Sequence, residues 1–154
     1  MKKIILVVPA IVFVFVVSCN NSGNKNEKIS EIPKTHVDSL MDEVLEGHDA
    51  GMGKMGKIST LQNKVRQILD SLNNLSGKSK MASVNYRSNL DSLLTELKSA
   101  QDGMNKWMDE FNMDSAQNNV DQRIQYLESE KTKVTKIKES MINALQKADS
   151  LLKH

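Results

Sequence analysis

The sequence is poor in cysteine, proline and aromatic residues. Its 154 residues include one cysteine, two prolines, one tryptophan, two tyrosines and three phenylalanines. A single cysteine excludes an internal disulfide framework, a cysteine-rich zinc site and the C-x-x-C-H attachment of c-type haem. The chain also lacks the H-E-x-x-H, P-loop and G-x-S-x-G signatures, and no nucleophile has an evident base. We therefore expect no enzymatic activity.

One long hydrophobic run stands at the amino terminus. Lys2 and Lys3 precede uninterrupted apolar residues from Ile4 to Val17. As a helix this run rises about 21 Å, which is short of the roughly 30 Å hydrocarbon core of a bilayer. The pattern predicts a signal peptide over residues 1–18 that is removed from the mature protein, and not a permanent span.

The run ends in "VVSC", in which Ser18 precedes Cys19. This segment resembles a bacterial lipobox. The resemblance implies that Cys19 becomes the first residue of the mature protein, is acylated on its sulfur and amino group, and anchors the chain to a membrane. The expected location is the bacterial cell envelope, on the periplasmic face or the cell surface. The alternative is a soluble secreted protein whose cysteine follows the run by chance.

Loss of the signal peptide also changes the charge balance. The chain has 21 basic and 19 acidic residues, so without Lys2 and Lys3 the mature protein is neutral. A neutral chain lacks the basic excess that nucleic-acid binding requires, and we expect no nucleic-acid partner.

The rest of the sequence predicts a tether followed by helices. Residues 19–34 are polar and contain Pro33, a composition typical of a disordered tether. Thr35 and Asp38 form a capping-box pattern, and apolar residues then recur at helical spacing, with no strand pattern. The predicted helices cover about 36–73, 83–112 and 115–153, with "NNLSGKSK" (73–80) as a connection and Asp114 or Ser115 as the third cap. The predicted fold is an elongated, all-α, up-down-up antiparallel three-helix bundle with a coiled-coil-like seam over residues 35–154.

The segment "HDAGMGKMG" (48–56) is unusual for a helix. Gly47, Gly51, Gly53 and Gly56 lie in or beside it, and a glycine in a helix interior costs about 1 kcal/mol relative to alanine. Whether they break helix one stays open at this stage. Concentrated violations of helix preference are expected at functional sites.

The first two helices bring soft ligands to one height. If the connection is centred near residue 78 and the two antiparallel helices rise equally per residue, the numbers of two residues that face each other should sum to about 156. This pairs His48 with Met108 and Met52 with Met104, while Val120 and Ile124 of helix three supply an apolar wall. Methionine thioether suits Cu(I), imidazole is compatible with it, and thioethers avoid the disulfide formation that threatens thiolates outside the cytoplasm. The predicted metal ligands are His48, Met52, Met55, Met104 and Met108, with Met41, Trp107 and Phe111 lining the site.

Two other interpretations of these residues remain. Methionines fill helical cores, and sulfur contacts with Trp107 and Phe111 need no metal, while His48 can hydrogen-bond a neighbour such as Asp49. A noncovalent haem held by His48 and a methionine is the third interpretation. Of the other histidines, His36 lies near a helix start and is expected to be solvated and not a ligand, and His154 is terminal.

With "VVSC", "MDEVLEGHDAGMGKM" and "MNKWMDEF", the chain resembles a group of small lipoproteins of Bacteroidota, some of which carry the name "viral A-type inclusion protein". In that group a segment like M-x-x-H-D-x-x-M-x-x-M and a later M-x-x-W-M-x-x-F recur. Met41 to Met55 match the first loosely, and Met104 to Phe111 match the second closely. Gly47, Gly51 and Gly53 depart from the pattern, and the resemblance implies no established activity.

Two functional hypotheses follow. One is a membrane-anchored lipoprotein that binds a soft metal ion, Cu(I) preferred, for tolerance or delivery. The other is an envelope interaction or scaffold lipoprotein whose long helices bind a protein partner or a second copy of the chain.

Overall fold

The structure is a computed structural model, and it describes residues 35–153 apart from the side chain of Lys80. The predicted signal peptide, Cys19 and the predicted tether lie outside the described residues. Within residues 35–153 the chain forms four α-helices and no strand: α1 His36–Asn73, α2 Gly77–Ala82, α3 Val84–Glu110 and α4 Val120–Leu151. The all-α prediction is confirmed. In the described part of the chain, no helix combines the length and apolar character that a membrane span needs.

Helix α1 begins where the capping pattern predicts and runs through its glycines without a break. The Thr35 hydroxyl accepts a hydrogen bond from the Asp38 backbone N–H, and the Asp38 carboxylate accepts one from the Thr35 N–H. This reciprocal arrangement satisfies two backbone donors that a helix start leaves without partners. Because α1 stays helical through its glycines, packing of the helix on its neighbours outweighs their local free-energy cost.

The three long helices pack on one another along their lengths. Glu43 pairs with Lys131 and Lys57 with Asp149, so α1 and α4 run in the same direction. Trp107 bonds Glu130 and Glu96 pairs with Lys147, so α3 runs opposite to α4. The shared core is mostly aliphatic with two methionines, and its fully buried large side chains are Val44, Ile58, Val65, Leu90, Leu93, Leu97, Met104, Leu127, Val134 and Met141.

Two boundaries differ from the sequence prediction. Part of the predicted 73–80 connection forms the short helix α2, which begins at Gly77 with a left-handed φ of 61°. The last long helix begins at residue 120, not 115, because Asn119 and not Asp114 or Ser115 is its cap: the Asn119 side chain accepts the Gln122 N–H at 3.0 Å. Val120, predicted to be part of an apolar wall, is exposed in the first turn of α4.

Candidate functional site

Two of the four unusual glycines allow close packing between helices. A Cβ on Gly47 would lie 2.8 Å from Cγ1 of Val134, and a Cβ on Gly51 would overlap the terminal methyl of Met104. Both glycines are buried, and the absence of a side chain lets residues of α4 and α3 pack directly against the backbone of α1. Gly53 and Gly56 face open space, and nothing in the structure explains them.

Met104 lies in the core, not beside Met52. Its side chain is fully buried and packs at Gly51, where the Met141 sulfur also approaches. Met52 is 38% exposed. The sequence predicts that Met52 faces Met104, but in the structure Met104 faces Gly51, one residue earlier on α1. Because successive helical residues point about 100° apart, this shift directs Met52 away from the core.

His48 and Met108 line the same surface groove between α1 and α3. This groove, the His48 groove, has a volume of about 300 Å³ and is lined by Leu45, His48, Trp107, Met108, Phe111 and Met113. Of the five predicted ligands, His48 and Met108 therefore meet here, together with the predicted lining residues Trp107 and Phe111. Met41 and Met55 are half-buried and pack against the core.

The His48 ring is held from two directions. Its Nδ1 lies 2.9 Å from Oδ1 of Asp49, and its ring centroid lies 5.6 Å from that of Trp107. A carboxylate oxygen can only accept, so Nδ1 carries the proton in the neutral imidazole and Nε2 carries the lone pair. Carboxylates orient metal-binding histidines in this way. The hydrogen bond to Asp49 is the one named in the alternative interpretation of His48, and it is compatible with ligation through Nε2.

Two residues that line the groove, Trp107 and Phe111, belong to an aromatic stack, and a buried carboxylate bonds the Trp107 indole. Trp107 stacks on Phe111 at 4.7 Å, and Phe111 on Tyr126 at 6.2 Å. Trp107 Nε1 donates to Oε2 of buried Glu130 at 2.8 Å, and Lys133 donates to the other carboxylate oxygen at 2.7 Å. The hydrogen bond to Glu130 raises the pKa of Lys133. These bonds hold the indole in one orientation beside His48.

Sequence reasoning missed Met113 and Arg123. Met113 belongs to the connection between α3 and α4 and lies outside every helical stripe, so periodicity gave no signal for it. Arg123 is only 8% exposed, and its guanidinium donates to the carbonyl oxygens of Met113 and Ser115, both at 2.6 Å. A buried arginine bonded to a connection indicates that the shape of this connection is fixed.

Within residues 35–153, no group of three or more His, Cys, Asp or Glu side chains is arranged to hold a metal ion. The donors in the His48 groove are of another kind, one imidazole and two thioethers. Comparisons with protein-family models, curated proteins and solved structures found no match to the chain.

Proposed function

We propose that this chain is a lipid-anchored protein of the bacterial cell envelope, built on an up-down-up bundle of three long helices, that binds a soft metal ion, Cu(I) preferred. The observation that carries the proposal is the meeting of His48 and Met108 in one groove beside Trp107. The two donors come from different helices, so the packed fold itself brings them together.

The donor chemistry favours Cu(I) over harder ions. Thioether sulfur is neutral and polarisable and binds Cu(I), whereas Mg²⁺ and Ca²⁺ need oxygen ligands. The Asp49 carboxylate leaves Nε2 of His48 as the metal-binding nitrogen. The face of Trp107 beside it adds cation–π attraction and excludes water from one side.

The test uses the full chain in detergent micelles, titrated with Ag(I) as a redox-inert substitute for Cu(I). Trp107 is the single tryptophan of the chain, so its fluorescence reports on this groove alone. We expect stoichiometric binding with quenching at micromolar metal. Because loss of an outer-shell partner already costs about 10–100-fold in affinity, His48→Ala and Met108→Leu should each weaken binding at least about 100-fold.

The matched control is Met81→Leu, which removes a thioether that is 78% exposed on α2, far from the groove along α3. It should bind Ag(I) as the unmodified chain does. Absence of binding to the unmodified chain at micromolar metal, or binding that survives His48→Ala, would overturn the metal proposal.

The anchor is a separate part of the proposal and rests on the "VVSC" sequence at Cys19. When the chain is expressed in a bacterium fed labelled palmitate, the label should appear on the protein and vanish in Cys19→Ser. A labelled Cys19→Ser protein, or an unlabelled parent, would overturn this part.

A second function, interaction with a protein partner or self-association, is favoured by one observation. Met81 and Val84 are exposed apolar side chains at the α1–α3 connection, with Leu75 beside them in sequence. Sedimentation of the full chain in micelles should then show association that Met81→Asp abolishes. A monomer at all concentrations would contradict self-association and leave only a foreign partner.

A further inference from the structure

We propose that Met113 is the third ligand of this metal site and that the buried Arg123 is the residue that positions it. This inference rests on the proposed function, since it completes the same site.

Met113 belongs to the groove but to neither of the helices that form it. It lines the His48 groove with Met108, and its side chain is 54% exposed. The site then draws one donor from α1, one from α3 and one from the connection between α3 and α4. One imidazole nitrogen and two thioether sulfurs form a three-donor set whose softness suits Cu(I).

The backbone on both sides of Met113 is held by α4. Before it, the Asn112 N–H donates to the Tyr126 hydroxyl at 2.8 Å. After it, the Met113 carbonyl accepts from Nη2 of Arg123 at 2.6 Å. Because the peptide group after Met113 and the N–H of the residue before it are both bonded to α4, the path of the backbone at Met113 is held before any metal arrives, which lowers the cost of binding.

Arginine suits this role because its guanidinium presents several donors in a rigid plane. Nη1 bonds Ser115 and Nη2 bonds Met113, so one side chain fixes two carbonyls of the connection at once. A lysine has one flexible ammonium group and does not reproduce this two-point contact. The Tyr126 ring lies 6.0 Å from the guanidinium carbon and limits its movement.

The other predicted thioethers are placed less well for this site. Met104 is fully buried against Gly51 and Met141. Met52 lies one helical turn from His48 and is not among the residues that line the groove. Met113 is thus the one added sulfur, within the described part of the chain, that shares the groove with His48 and Met108.

The experiment titrates the full chain in micelles with Ag(I) and then measures the ligand set by X-ray absorption. We expect two sulfur ligands and one nitrogen ligand in the parent, and one sulfur fewer in Met113→Leu. The same change should weaken binding at least about 10-fold, since loss of an outer-shell partner alone costs that much. Met52→Leu is the matched control, with the same chemical change one turn from His48, and should alter affinity less than about threefold.

Arg123→Lys tests positioning, because it keeps the charge and every proposed ligand. We expect it to weaken Ag(I) binding about tenfold and to lower the sulfur count, effects that a purely structural role would not produce in a chain that keeps its helical circular dichroism. Should this variant fail to fold, the methyl resonance of Met113 in the parent gives the answer, since a ligating thioether shifts strongly on Ag(I) addition. An unshifted Met113 methyl would overturn the inference.

The outcomes separate the two proposals. If the parent does not bind Ag(I), the proposed function fails. If binding needs His48 and Met108 but is unchanged by Met113→Leu, only this inference fails. If Met52→Leu weakens binding and Met113→Leu leaves it unchanged, the third sulfur ligand comes from α1 and the assignment of Met113 is wrong.

Discussion

The two connections between the long helices are built in opposite ways. The α3–α4 connection (111–119) is bonded to Arg123 and Tyr126 of α4 and internally through the Asn112 side chain, and with the His48 groove it forms what we call the pocket end. The α1–α3 connection (74–83), the far end, contains a six-residue helix and exposes Met81. The connection that contributes a side chain, Met113, to the groove is the one whose carbonyl oxygens a buried arginine holds.

The largest expected effect comes from removing the arginine that holds the pocket end. Arg123→Leu deletes two charge-assisted hydrogen bonds to backbone carbonyls and should lower the free energy of unfolding by about 3 kcal/mol. At the far end, Arg87 makes an exposed hydrogen bond to Asn73, and Arg87→Leu should cost about 0.5 kcal/mol. Thermal unfolding followed by circular dichroism measures both. Equal losses would contradict the difference between the two ends.

A smaller effect tests the buried carboxylate under the groove. Trp107→Phe keeps an aromatic ring but removes the N–H that Glu130 accepts, and it should cost about 2 kcal/mol because a buried charge loses a partner. In a Glu130→Gln background the same change should cost less than about 1 kcal/mol, since no charge remains to be satisfied. Identical costs in the two backgrounds would show that the bond does not stabilise the pocket end.

Two glycines of α1 give effects of opposite sign, one next to the pocket end and one facing open space. Gly47→Ala gains about 1 kcal/mol of helix propensity, but crowding of the stiff Val134 side chain should cost more, leaving a net loss of about 1 kcal/mol. Gly53→Ala meets open space and should raise the free energy of unfolding by about 1 kcal/mol. Chemical denaturation of the Gly47→Ala and Gly53→Ala variants measures both changes in the free energy of unfolding. Stabilisation by both changes would show that Gly47 is not needed for packing.

The smallest effect belongs to a surface ion pair nearer the far end. The hydrogen bond from Lys147 holds the pKa of Glu96 below its ordinary value of 4.5. A carboxyl group whose pKa is lower in the folded than in the unfolded chain stabilises the fold at pH values above its unfolded-state pKa. This contribution is lost as the pH falls through its folded-state pKa. Glu96→Gln should therefore lower stability at pH 7 by at most about 0.5 kcal/mol, because the pair is exposed, and by nothing at pH 2. An equal difference at both pH values would contradict this.

Much of the helical framework could be predicted from local sequence. The capping pair Thr35 and Asp38 and the apolar stripe after them predict α1 from residue 36 to 73, as observed. The start of α4 could not be predicted as well, because Asp114, Ser115 and Asn119 are all good caps. The observed cap is Asn119, Arg123 bonds the carbonyl oxygens of Met113 and Ser115 in the connection before it, and Ala116 there adopts a left-handed φ of 58°.

The candidate site was predictable only where helices carry it. Equal rise in two antiparallel helices brings His48 level with Trp107 and Met108, which simple pairing of residue numbers anticipates to within one residue. Met113 could not be found in this way, because its place depends on hydrogen bonds from α4. Packing explains Gly47 and Gly51, because their missing side chains leave room for Val134 and Met104 in the core.

The common direction of α1 and α4 has an electrostatic consequence. Peptide dipoles add along a helix to about half a positive charge at its amino end and half a negative charge at its carboxyl end. Two amino ends and one carboxyl end lie on the groove side of the bundle, whereas at the α1–α3 connection the carboxyl end of α1 lies beside the amino end of α3. Between Asp70 and Asp91 the sequence has no acidic residue and places Lys78, Lys80 and Arg87. The basic residues of this connection thus offset the negative carboxyl end of α1 that lies there.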